Sequence, residues 1–185
     1  MDQKNRYRSD NRDLLSGSEK KTERIKKMEH TGSKGEQAEA LFREGYNCTQ
    51  SIALAFCEEI GIEKGKLLKM VSSFGGGMGR LREVCGAVSG MFFVAGALYG
   101  YDDPKDMQAK KEHYTRIQEL AAQFRAQTGS IVCRELLGLE GKDHRPEPGA
   151  RTPEYYKKRP CPQMIRLAAE IMEDYIRKQQ EENTV

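Results

Sequence analysis

The sequence predicts an all-α protein, a helical bundle built around a buried, glycine-containing central helix. Three observations support this prediction. Apolar residues recur at helical spacing in several segments, capping residues and glycines mark the ends of those segments, and no alternating apolar and polar run indicates a strand. The length of 185 residues suits one domain of ordinary size.

The first 34 residues differ in composition from the rest. Residues 1–34 contain ten Lys or Arg and six Asp or Glu, a net charge of +4, which leaves −1 of the total of +3 for residues 35–185. We therefore expect a charged, mostly disordered arm followed by a helical domain. The near-neutral domain argues against nucleic acid as a partner. Because the arm lacks the apolar core of a signal peptide, we expect a cytoplasmic protein with reduced cysteines.

The domain should begin with three helices. Apolar spacing predicts the first over 36–44. Asn47 is a good N-cap residue, so the second should begin directly after it and run to residue 59 or 60. A short third helix over 64–72 leads into the glycine run of residues 74–79, which predicts a tight loop.

The predicted central helix covers residues 82–98. It overlaps eighteen uncharged residues, 84–101, which is the lower length limit for a membrane span. This stretch contains four glycines, and no second apolar segment accompanies it. We therefore interpret it as a helix buried by its neighbours and expect no membrane span.

The rest of the domain should form three further helices. Pro104 marks the start of a long amphipathic helix that ends near residue 127. A short helix is predicted over 133–137. Residues 139–160, rich in Pro, Gly and charge, are interpreted as a long loop, and Pro162 should open the last helix.

Four of the five cysteines are candidates for one shared site. Cys48, Cys85, Cys133 and Cys161 are each predicted at or near a helix N-terminus, Cys161 as an N-cap. Unpaired N–H groups and the helix dipole stabilise a thiolate at such positions. The spacings of 37, 48 and 28 residues do not form the C-x₂-C pairs of zinc fingers or thioredoxins. On spacing alone, separate core thiols stay open.

Cys57 and two glycines are interpreted from their helical positions. Cys57 lies nine residues after Cys48 on the predicted helix, about 180° around its axis, so we expect a small core residue there. Gly86 and Gly90 lie four residues apart and leave a small helix face beside Cys85. We predict them as cofactor-binding residues, and close helix packing explains the same pattern.

Glycines and arginines suggest one further site. The run 75–79 lacks the Lys-Ser/Thr of a P-loop, so we interpret it as a connection that brings Cys85 near its partners. Arg80 and Arg82 leave an anion-binding nest open. Other arginines near cysteines in sequence either favour thiolates or are solvated: Arg134, Arg159 and Arg166.

The sequence resembles the C_GCAxxG_C_C family of redox-active proteins over residues 36–176. Five motifs in the family order carry the resemblance: Glu44-Gly-Tyr-Asn-Cys48, Phe74-Gly-Gly-Gly-Met-Gly79, Glu83-Val-Cys-Gly-Ala-Val-Ser-Gly90, Cys133-Arg-Glu-Leu-Leu-Gly138 and Cys161-Pro162. The resemblance implies that these four cysteines are the characteristic ones and that Cys57 is extra. The family is also similar to the iron–sulfur-bearing part of split-Soret cytochromes. Covalent c-type haem is not expected, because C-x-x-C-H is absent.

Three functions follow from these observations, and the sequence does not separate them. The leading prediction is an electron-transfer module in which the four cysteines are metal ligands that hold an iron–sulfur cluster. The second is a metal-free thiol–disulfide oxidoreductase. The third is a structural Cys₄ zinc site. The sequence identifies neither a redox partner nor a substrate, and it leaves a homo-oligomer open.

Overall fold

The structure is a computed structural model that describes residues 32–140, 145–182 and 184. The predicted arm lies outside these residues, apart from its last three. The described residues form no sheet, which confirms the all-α class. They contain a 3₁₀ turn at Ser72–Phe74 and ten helices: α1 (Lys34–Arg43), α2 (Cys48–Ala55), α3 (Cys57–Ile60), α4 (Lys64–Val71), α5 (Gly75–Met78), α6 (Gly86–Tyr99), α7 (Met107–Thr128), α8 (Cys133–Leu136), α9 (Pro153–Lys157) and α10 (Cys161–Glu182).

Helix α6 contributes much of the main core. It packs against α2, α7 and α10, and α1 packs against both α2 and α10. Val88, Met91 and Val94 of α6 are fully buried. Large side chains from the surrounding helices complete this core: Phe42, Ile52, Phe56, Leu120, Phe124, Ile165 and Met172. No helix within the described ranges is long and apolar enough to cross a membrane.

The predicted second helix is two helices. Phe56 leaves the helical region, with φ −106° and ψ 19°, and separates α2 from α3. Gly61 then ends α3 in the left-handed conformation. The first helix begins at Lys34, two residues earlier than expected, because the Ser33 side chain caps it by accepting the N–H of Glu36.

The glycine-containing helix starts at Gly86, four residues later than predicted. Arg82 has a left-handed backbone with φ +61°. Val84 then forms an isolated antiparallel bridge with Val132. Both features keep residues 82–85 out of the helix, and this bridge was not predicted.

The C-terminal half differs from prediction at three helix starts. Helix α7 begins three residues after Pro104, because the Asp106 side chain accepts the N–H of Ala109 and caps it there. The predicted loop 139–160 contains α9, which Thr152 caps. The last helix begins at Cys161, so this cysteine is its first residue instead of its N-cap.

Candidate functional site

Four helix starts meet at one cavity of about 180 Å³ that is lined by Cys48, Cys85, Cys133 and Cys161. Three of these cysteines are the first residues of α2, α8 and α10, and Cys85 immediately precedes α6. The structure therefore brings together the four cysteines that the sequence singled out. Their role as metal ligands stays a prediction.

A capping box holds Cys48 in place. The Asn47 side chain accepts N–H bonds from Thr49 at 3.1 Å and from Gln50 at 2.9 Å, and the Gln50 side chain accepts the Asn47 N–H in return. The Thr49 hydroxyl donates to the carbonyl of Gly86 at 2.8 Å. The start of α2 is thus fixed against the start of α6.

The bridge between Val84 and Val132 brings the next two cysteines together. The Cys85 N–H donates to the Ile131 carbonyl at 2.8 Å, and the Cys133 N–H donates to the Glu83 carbonyl at 2.6 Å. Each cysteine follows a bridge residue directly. The starts of α6 and α8 therefore lie side by side at the cavity.

Two glycines permit this close approach. A Cβ atom at Gly86 would lie 2.9 Å from the Cβ of Cys48, and one at Gly77 would lie 2.6 Å from the Cβ of Cys133. Gly77 also has φ +73°, a conformation that side chains disfavour. Gly86 lines the cavity, whereas Gly90 lies against Ile52 and is not among the lining residues. The predicted cofactor contact of both glycines stays a prediction.

Cys48 and Cys161 form a hydrogen-bonded pair of thiols. The Cys48 thiol donates to the Cys161 sulfur, and this bond, together with burial, raises the pKa of Cys48 well above its ordinary value. The same bond lowers the pKa of Cys161. In the metal-free protein Cys161 is therefore the thiol that ionises more easily.

Cys85 and Cys133 are held as neutral thiols by burial. Desolvation raises the pKa of Cys85 to about 12. Desolvation also raises the pKa of Cys133, although a hydrogen bond and the positive charge of Arg82 oppose it. Both sulfurs therefore favour the neutral thiol in the metal-free protein, and a directly bound metal ion would favour the thiolate form.

Backbone N–H groups point at two of these sulfurs. The Gly76 N–H donates to the sulfur of Cys48, and the N–H groups of Ala87 and Val88 donate to the sulfur of Cys85. Such bonds favour thiolates and tune iron–sulfur clusters in proteins. The helix-start placement predicted donors of this kind at the cysteines.

Four arginines line the same cavity: Arg80, Arg82, Arg151 and Arg159. The sequence signalled the first two through the glycine run and Arg159 through its nearness to Cys161, but gave no signal for Arg151. The Arg151 guanidinium stacks 4.1 Å above the Phe42 ring and donates to the carbonyls of Phe42 and Tyr46. Arg134 and Arg166 are not lining residues: Arg134 pairs with Glu83, and Arg166 pairs with Glu36 and Glu170.

Cys57 lies apart from the cavity. Its thiol donates to the Ile62 carbonyl at 3.5 Å, and it packs against a small second core of Ala53, Leu67 and Val71. It is not among the cavity residues. This placement agrees with its interpretation as a core residue.

The ligand geometry of a single metal ion is missing from the described residues. No group of three or more His, Cys, Asp or Glu side chains within the described ranges is arranged to hold one ion. The four cysteines therefore share a cavity without forming a ready tetrahedral site.

The comparisons with known proteins gave one match. The family model for C_GCAxxG_C_C, described as a putative redox-active protein, matches residues 46–175. This range includes all four cavity cysteines and the glycine turn. Neither the curated proteins nor the solved structures gave a match.

Proposed function

Because this chain belongs to the C_GCAxxG_C_C family of redox-active proteins, we propose that its four cavity cysteines hold an iron–sulfur cluster and that the protein transfers electrons. One observation carries the proposal. Cys48, Cys85, Cys133 and Cys161 all line a single cavity, each at the start of a helix.

The donor set fits this cofactor. Among the described cavity residues the metal-binding side chains are four cysteines, with no His, Asp or Glu. Such a sulfur-only set suits iron–sulfur clusters and zinc. The N–H bonds to Cys48 and Cys85 would stabilise ligating thiolates, and iron bound directly to the sulfurs would favour the thiolate form of the buried cysteines.

The arrangement favours a cluster over a single zinc ion. Four thiolates on one zinc ion, with bonds of about 2.3 Å, must lie within about 4 Å of one another. The described residues contain no group arranged in that way. In a [4Fe–4S] cluster each cysteine binds a different iron, so four sulfurs spaced around a cavity suit that type of cluster.

Anaerobic purification tests the proposal. We expect a brown protein with visible absorbance, and with iron and acid-labile sulfide in the ratio of a cluster. Replacing each cavity cysteine by serine should lower the iron content strongly. Cys57→Ser is the matched control and should keep it, because Cys57 lies outside the cavity. Colourless wild-type protein with stoichiometric zinc, or with no metal, would refute the proposal.

A metal-free thiol–disulfide oxidoreductase is the second candidate, and the hydrogen bond between Cys48 and Cys161 favours it. The Cys161 thiolate would attack a substrate disulfide and release one substrate thiolate, which takes up a proton. Cys48 would then lose its proton and displace the second substrate thiolate. Two protein thiols become one disulfide while the substrate disulfide becomes two thiols.

Thiol counting separates the second candidate from the first. In metal-free protein treated with a disulfide oxidant, we expect two thiols to disappear and a peptide joined through Cys48 and Cys161 to be found by mass spectrometry. The Cys57→Ser variant should behave in the same way. Retention of all thiols, or pairing among other cysteines, would exclude this candidate.

A further inference from the structure

The cysteine cavity also holds permanent positive charge. Four guanidiniums line it, and no Asp or Glu of the described residues does. Arg82, Arg151 and Arg159 form no ion pair with a carboxylate in the described part of the chain. A guanidinium stays protonated at any physiological pH. The cavity therefore attracts anions.

Arg82 is the arginine whose surroundings indicate a bound ligand. Its side chain is buried, with the residue only 3% exposed, and it lines the cavity. Its guanidinium reaches the thiol of Cys133, yet its Nε has no hydrogen-bond partner among the described residues. Buried donors are normally satisfied, so this N–H indicates an acceptor other than the residues that the structure describes.

Arg159 supplies a second guanidinium from another segment. It is partly exposed and stacks 4.8 Å from the centre of the Tyr155 ring, which restrains its side chain at the cavity. Arg82 precedes α6 and Arg159 precedes α10, so the two reach the cavity from different parts of the chain. Guanidiniums from separate segments can hold one anion between them.

We propose that this cavity binds a small oxyanion of the sulfate or phosphate type beside the cysteines, with Arg82 and Arg159 as its hydrogen-bond donors. The site does not depend on the iron–sulfur cluster. The guanidiniums keep their positive charge whether or not the cysteines bind iron. Gly75 and Gly76 of the glycine turn that precedes Arg80 line the same cavity.

Calorimetric titration of sulfate into the anaerobically purified full chain tests the site. Ionic strength is held constant with sodium chloride, so that general screening does not change. We expect saturable binding that chloride does not reproduce. Arg82→Gln and Arg159→Gln should each raise the Kd about tenfold, because each removes a charge-assisted hydrogen bond.

Arg134→Gln is the matched control. Arg134 follows Cys133 directly, but it pairs with Glu83 at 3.0 Å and does not line the cavity. Its Kd for sulfate should equal that of the wild type. If Arg82→Gln fails to fold, the Arg159→Gln variant alone tests the site, because the Arg159 side chain is partly exposed.

Two results would overturn the anion site. One is the absence of saturable sulfate binding to the wild-type protein. The other is an equal loss of affinity in Arg134→Gln and Arg159→Gln, which would show attraction to the surface in general. Iron is measured in the same samples, so the outcome is distinguishable from that of the electron-transfer proposal. Iron-free protein that binds sulfate would refute the cluster and support the anion site.

Discussion

A methyl group at Gly86 should damage both the fold and the cysteine site. The added Cβ would lie 2.9 Å from the Cβ of Cys48 and 3.1 Å from both the Phe74 carbonyl oxygen and the Thr49 hydroxyl. Real Cβ contacts of 2.9 Å are essentially never seen, contacts of 3.1 Å are tighter than most, and the Phe74 carbonyl is backbone. The start of α6 must therefore move away from the start of α2.

The size of the effect follows from two opposing contributions. Overpacking a buried contact costs about 1–3 kcal/mol, while alanine gains up to about 1 kcal/mol in helix propensity over glycine. We expect Gly86→Ala to lower the free energy of unfolding by about 1–2 kcal/mol. For a domain of this size, the thermal midpoint falls by about 2–4 °C per kcal/mol.

Two glycines on the same helix provide matched controls. The nearest neighbours of a Cβ at Gly90 would be Ile52 at 3.0 Å and the Thr49 carbonyl at 3.3 Å, and Gly90 does not line the cavity, so Gly90→Ala should lose stability and keep its iron content. A Cβ at Gly96 would meet nothing within 4 Å, so Gly96→Ala should gain up to about 1 kcal/mol. Thermal unfolding and iron analysis of the three variants decide the matter. A Gly86→Ala protein as stable as Gly96→Ala, with full iron content, would refute the reasoning.

Three further predictions concern the surroundings of the cavity. Asn47→Ala removes the cap of α2 and should lower the free energy of unfolding by about 1–2 kcal/mol in chemical denaturation. Ser33→Ala removes the cap of α1, which does not line the cavity, and is therefore the control that should keep the iron. Arg151→Lys should lower the thermal midpoint, since lysine cannot reproduce two carbonyl bonds together with stacking on Phe42; an unchanged midpoint would contradict this. In metal-free protein the lowered pKa of Cys161 gives it more thiolate at neutral pH than Cys85, with its pKa of about 12. Iodoacetamide should therefore modify Cys161 before Cys85 as the pH is raised. Modification of Cys85 before Cys161, found by peptide mapping, would contradict this order of thiolate formation.

Some helix boundaries could be predicted because their signals are local. Asn47 stands directly before α2 and Gly61 directly after α3, so a few neighbouring residues determine where each helix begins or ends. The same local signals placed four cysteines at helix N-termini. By contrast, α6 begins four residues late, because the Val84–Val132 bridge depends on a segment almost fifty residues away. A bridge of one residue pair leaves no alternating pattern in the sequence.

The burial of the arginines could not be predicted for a related reason. Arg82 is buried because its backbone is left-handed and because the chain folds around Cys133. Its neighbours in sequence reveal neither feature. Arg151 packs on Phe42, 109 residues away, so only the tertiary fold creates that contact. Arginine side chains are usually exposed in proteins. These two depart from that pattern because the Arg82 guanidinium reaches the Cys133 thiol and the Arg151 guanidinium stacks on Phe42.

Cysteines and arginines in one cavity make the redox and anion-binding proposals separable by mutation. The cavity cysteines lie at helix starts, whereas the cavity arginines lie in the segments before α6, α9 and α10. Either set can therefore be changed while the other stays in place. Serine at a cavity cysteine removes a proposed metal ligand and leaves every guanidinium. Glutamine at Arg159 removes a positive charge and leaves every thiol. Arg159→Gln should therefore keep the visible spectrum of the proposed cluster while its Kd for sulfate rises about tenfold.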